Sequence, residues 1–228
     1  MLNFQVSRAD VTFDAKFPQP DFEMLADDAS FLEKIFRFLQ PHGLRTADVR
    51  FDPGDGSIGD EQIVCQLPSY WITVRVRVDR IEIVSTTLLR EQTQALKGVV
   101  ASALGAVVEH RAGIPFASFG MALNLHGAIE GIAAQSYLAR YMANPPKGLG
   151  PQVGNGMAAY FGQHDDRLFA SVTADLSAVV PNAVFVKVQA QWDSRKVGPA
   201  SIVDVSERFV QAGLASLDLQ LPVVNRAQ

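Results

Sequence analysis

The sequence predicts an α+β protein with mostly antiparallel sheet and helices packed on one face. Two observations carry this. Runs of apolar/polar alternation, the period of a half-buried strand, are joined by short Gly- and Asp-containing loops. The segments of helical period are few and do not alternate strictly with single strands, which argues against a parallel β-α-β sheet.

Taken in order, residues 3–17 open with a strand. Val11, Phe13, Ala15 and Phe17 alternate with Thr12, Asp14 and Lys16, and Pro18 and Pro20 stop it. A helix is expected over 31–40, started by an S-x-x-E capping box at Ser30 and Glu33 and ended by Pro41 and Gly43. Strands follow near 46–52, 61–67, 70–78 and 81–86. A single bent strand through 86 is the rival reading of the last two. A second helix spans 88–110, with Leu96, Val99, Val100, Ala103, Leu104, Val107 and Val108 on its apolar face. Its small residues, including Gly98 and Gly105, allow another element to approach closely.

The order then restarts. A strand at 116–126 precedes a helix at 128–142, with Ile129, Ile132, Ala133 and Tyr137 inward. A Gly/Pro-rich loop covers 144–156. Strands near 156–162, 167–176 and 183–193 follow, with Gln163–Asp166 as a hairpin loop, and a helix at 202–218 carries an S-x-x-D capping box at Ser201 and Asp204. The chain therefore reads as two pseudo-repeated strand-helix-strands-helix halves, 1–113 and 114–228, in one compact unit. One strand supports the match: Trp71, Thr73, Arg75, Arg77 and Asp79 against Phe185, Lys187, Gln189, Gln191 and Asp193.

The 228 residues are 48% hydrophobic and 19% charged, enough apolar matter for a sizeable core. The net charge of −4 disfavours non-specific nucleic-acid binding. The lone Cys65 excludes an internal disulfide and a cysteine metal centre. Within the apolar run Ile63–Leu67 it reads as a buried, inert thiol. The N-terminal residues lack a secretory pattern, and no apolar run is long enough to span a bilayer, so a cytoplasmic protein is expected.

No motif carries chemistry. The acidic loop Asp52–Glu61 fails as a calcium loop, because aligning Gly56 at the turn position puts Phe51, Pro53 and Gln62 where oxygen ligands belong. The loop Gly148–Gly156 follows a helix and leads into a strand, the reverse of a phosphate cradle. His42, His110, His126 and His164 have no helical metal-pair spacing. Phe116–Gly120 lacks the first glycine of a nucleophile elbow.

Candidate ligand-binding residues are therefore Trp71, Arg75 and Arg77 on one strand face, and His126 with Glu130 four residues on. The arginines could bind an anion or a nucleic-acid strand. They could equally pair with acidic neighbours such as Glu82 or Asp79. No cofactor, metal or catalytic residue is expected. The reading favoured is a non-enzymatic intracellular binding or assembly protein, with a protein partner or a homo-oligomer, nucleic acid unlikely and no membrane. The alternatives are an enzyme or small-ligand binder with a pocket between the halves, with His126, Glu130, His164 and Asp165 as first residues to test, or single-stranded nucleic-acid binding through the Arg/Trp strand face.

Overall fold

A computed structural model describes residues 1–25, 30–55, 60–88, 90–111, 113, 115–141 and 155–221. Its strands are β1 (Leu2–Lys16), β2 (Val49–Asp52), β3 (Gln62–Leu67), β4 (Ile72–Val76), β5 (Arg80–Ser85), β6 (Ser118–Ile129), β7 (Met157–Phe161), β8 (Arg167–Leu176), β9 (Val184–Asp193) and β10 (Leu219–Gln220). They form one 10-stranded sheet in the order β2-β3-β4-β5-β1-β6-β9-β8-β7, with β10 beside the start of β1. Among the described residues every pairing along that order is antiparallel, and the short β1–β10 pairing is parallel.

The order explains itself from the sequence. Consecutive hairpins lay β5, β4, β3 and β2 outward from β1, and β9, β8 and β7 outward from β6. β1 and β6 then pair with each other from Phe4–Ile129 to Lys16–Ser118, so the sheet runs unbroken across the boundary expected at 113/114.

The helices are α1 (Ser30–Leu39), α2 (Thr93–His110), α3 (Ala134–Leu138) and α4 (Ile202–Ser216). They cover the face onto which Phe13, Ile83, Val74, Leu123, Val186 and Val188 point, all buried. Each such side chain contributes roughly 1.5–3 kcal/mol by leaving water. Phe119 stacks between Phe13 and Phe116, at 6.3 and 5.1 Å between ring centroids. The small residues of α2 receive α1 and the turn after it. A Cβ on Gly105 would lie 2.9 Å from the Phe38 ring, and one on Gly98 would lie 2.8 Å from the His42 ring. No helix among the described residues is long and apolar enough to cross a membrane.

Several local expectations are corrected. The helix expected over 128–142 is mostly strand and turn: β6 continues to Ile129, Ile132 folds back to bond the Ile129 carbonyl, and only 134–138 is α-helical. Ile129 and Ile132 are three apart because they flank a tight turn, a spacing that imitates a helical face. Ser201 does not cap α4, since its hydroxyl donates backward to the Gly198 carbonyl. Trp71 lies outside its expected strand, with φ of 54° closing the 3₁₀ turn Pro68–Tyr70. The expected strand 70–78 is correspondingly trimmed to 72–76, and β5 is separate from it.

The element order recurs with one strand fewer after β6, but a duplication is not shown. The strand match behind it pairs β4 with β9, whereas β9 adjoins β6 as β5 adjoins β1. Most of the Gly-rich loop 144–156 lies outside the described residues.

Candidate nucleic-acid interface

Alternation along the strands leaves a second face, on which no helix among the described residues packs, and whose residues line up in cross-strand rows. One row is entirely uncharged. It runs through Gln66, Thr73 and Val84 on β3 to β5, Thr12 and Ala122 on the central pair, and Gln189, Ser171 and Tyr160 on β9 to β7. Eight strands at about 4.8 Å spacing make this band about 34 Å long. The next row along the strands sets Asp10, Asn124, Lys187 and Thr173 side by side. On the opposite flank run Arg50, Val64, Arg75, Glu82, Asp14, Gly120, Gln191 and Phe169, and beyond them Arg80, Lys16 and Ser118.

The electrostatics of this face are mixed. Arg75 donates to Glu82 across β4 and β5 at 2.8 Å, and Arg8 donates to Asp10 at 2.9 Å. Arg80 bonds Asp79. Among the described residues, Lys16, Arg50 and Lys187 make no ion pair, so their charges remain available. Burial holds the Asp14 carboxyl above its ordinary range, against the pull of Lys16 and Arg80. Asp14 leans over Gly120: a Cβ there would sit 2.2 Å from its Oδ1. The missing side chain at 120 thus lets a carboxyl lie flat in the middle of the sheet.

Aromatic rings close the β7 side. Tyr160 is 73% exposed and lies 6.4 Å from the Phe169 ring at an interplanar angle of 35°. Near the other side, Trp71 is 67% exposed beside the β3–β4 turn.

The residues singled out from sequence do not form one centre. Arg75 is on the bare face but engaged with Glu82, and Arg77, just past β4, donates to Gln62 Oε1 at 3.3 Å. His126 belongs to another row, level with Arg8 and Phe185. Its Nδ1 is 2.8 Å from Ser177 Oγ and its ring 5.0 Å from that of Phe185; burial pushes its pKa down, so the ring is neutral near pH 7. Glu130 is exposed and bonds Asn3, with no hydrogen bond to His126 among the described residues. His164 and Asp165 pair with each other, exposed, in the β7–β8 turn. His126 is level with Asp175, and the turn closes beside Arg167, eight residues along β8, or about 26 Å.

Reading the neutral row needed the register, because its members come from eight strands. The alternation Phe185-Lys187-Gln189-Gln191 was its one visible trace. Cys65 is fully buried with its thiol pushed up to about 12, so it is no nucleophile. Asp21, Glu23 and His110 bring possible ligand atoms within 4.8 Å, but Arg111 faces Asp21 at 3.4 Å and Lys34 Nζ lies 3.4 Å from His110 Nδ1. Those cations already occupy the charge a metal ion would supply.

No protein-family model and no curated protein sequence matches the chain. Among solved structures, the chain is similar to a rolling circle replication initiator protein from Geobacillus stearothermophilus, with a TM-score of 0.41 and 12% identity over 99% of this chain and 90% of that one. That likeness, to a protein named for initiating rolling circle replication, stands against the expectation of a non-enzymatic binding or assembly protein with a protein partner or homo-oligomer and nucleic acid unlikely, and that expectation is not proposed again.

Proposed function

We propose that the helix-free face of the sheet binds single-stranded nucleic acid. The observation that carries this reading is the uncharged row, six of whose eight side chains end in an amide or hydroxyl, flanked on one side by Lys187 and on the other by Lys16 and Arg50, with exposed rings at Tyr160 and Trp71. Lysines and arginines at the flanks answer phosphates, amides and hydroxyls in the row answer base edges, and rings accept stacked bases. The paired charges Arg75–Glu82 and Arg8–Asp10 lower the net field, so binding depends on the unpaired cations.

The test is fluorescence anisotropy with labelled single-stranded DNA and RNA at increasing salt. Saturable binding at 50 mM salt is expected, weakening as salt rises. Lys187→Ala should lower the salt slope by about one ion's worth, and Tyr160→Ala should cost about 1–3 kcal/mol of affinity if a base stacks there. No binding to either polymer at 50 mM salt would end this reading.

A further inference from the structure

On the helix-covered side a cleft opens between α2 and α4 above the central strands, with a volume of about 550 Å³. This lies within the ~300–1,000 Å³ range of small-molecule sites. Its floor is Val11, Phe13, Met121 and Leu123, and its walls are Leu96 and Val100 from α2 and Val203 and Val210 from α4. The two helices touch little else across this gap. Lys97 of α2 and Glu207 of α4 bridge it at 2.6 Å.

Ser206 supplies a second, independent sign. It lines the cleft, it is 9% exposed, and its Oγ has no hydrogen-bond partner among the described residues. A buried hydroxyl without a partner is unfavourable, and a bound oxygen would relieve that after a turn of the side chain. At the cleft Lys97 is matched to Glu207, and Arg8, which borders it, is paired with Asp10 of the bare face. Among the described residues that line it, no charge is left waiting for a ligand's charge, and an apolar floor would penalise one.

We infer that this cleft binds an uncharged small molecule with an apolar body and a single hydroxyl or carbonyl oxygen, the oxygen bonded to Ser206 and the body laid on Phe13, Met121 and Leu123. This is separate from nucleic-acid binding on the opposite face, and its readout needs no oligonucleotide.

The experiment uses the full chain and the uncharged fluorophore N-phenyl-1-naphthylamine, displaced by 1-decanol or by decanoate. The expected result is a saturable fluorescence rise, displacement by 1-decanol, and displacement by decanoate about tenfold weaker, from the cost of burying its carboxylate. Ser206→Ala should keep fluorophore binding and weaken 1-decanol about two- to tenfold, as loss of one neutral hydrogen bond does. Val100→Trp, which fills the cleft, should abolish the rise while the circular dichroism spectrum is retained. Should that variant unfold, Ser206→Ala decides. The inference is overturned by no saturable rise in the native chain, by decanoate competing as well as 1-decanol, by undiminished 1-decanol affinity in Ser206→Ala, or by unchanged fluorophore binding in folded Val100→Trp.

Discussion

The two faces of the sheet are made by the same strands, yet they are built on different physics. The covered face is Val, Ile, Leu and Phe, buried and interlocked with α2 and α4. The bare face carries amides, hydroxyls and charges, some paired and some not. Phe119 and Gly120 are neighbours in the chain and belong to opposite faces. One side supplies buried apolar contacts and the other polar and charged groups, and a shift of one residue along a strand exchanges the two.

Substitutions at adjacent positions should therefore separate. Phe119→Ala removes a ring stacked between Phe13 and Phe116 and should cost about 3–5 kcal/mol in urea unfolding, the largest effect expected here. Gly120→Ala should cost less, about 1–3 kcal/mol, as Asp14 is driven from the place where the new Cβ falls. An equal loss at both positions would break the contrast between faces. Removing Arg75, Glu82 and then both, in a double-mutant cycle, should return a coupling of about 0.2–1 kcal/mol, because the pair is partly exposed.

Asp14→Asn tests the bare face by pH. Burial raises the folded pKa of Asp14, so the folded state holds its proton more tightly than the unfolded chain does. Ionisation then costs stability as pH rises from the ordinary 3.8 through the raised value. The asparagine variant should be the more stable of the two above that window and gain nothing below it, as read by urea titrations at pH 3 and pH 7. A variant less stable at pH 7 would show that the carboxylate is held by favourable contacts instead.

Much of the fold was legible because alternation survives in the sequence. The first strand shows it in Val11, Phe13, Ala15 and Phe17, and 167–176 and 183–193 became β8 and β9 almost unchanged. The loss of the helix at 128–142 has a definite source: the run from Ala128 to Ala134 has apolar residues at helical spacing, while its backbone hydrogen bonds go to Asn3 and to the Ile129 turn. Strand β10 is too short to show any period. The paired fate of Arg75 was visible as a possibility, since Glu82 lies one hairpin away. The neutral row was not, because neighbours in it are separated by up to more than a hundred residues and meet only through the β1–β6 pairing. The cleft was hidden for a similar reason, as Leu96, Phe13, Leu123 and Val210 are scattered along the chain.

The β1–β6 seam places Val11 and Leu123 on one side and Thr12 and Ala122 on the other, one backbone thick. Two ligands bound there at once would be separated by a single layer of peptide. Whatever change in strand twist one of them favours, the other must meet. Thermodynamic linkage then fixes a symmetry: the factor by which a cleft ligand alters oligonucleotide affinity equals the factor by which the oligonucleotide alters that ligand's own.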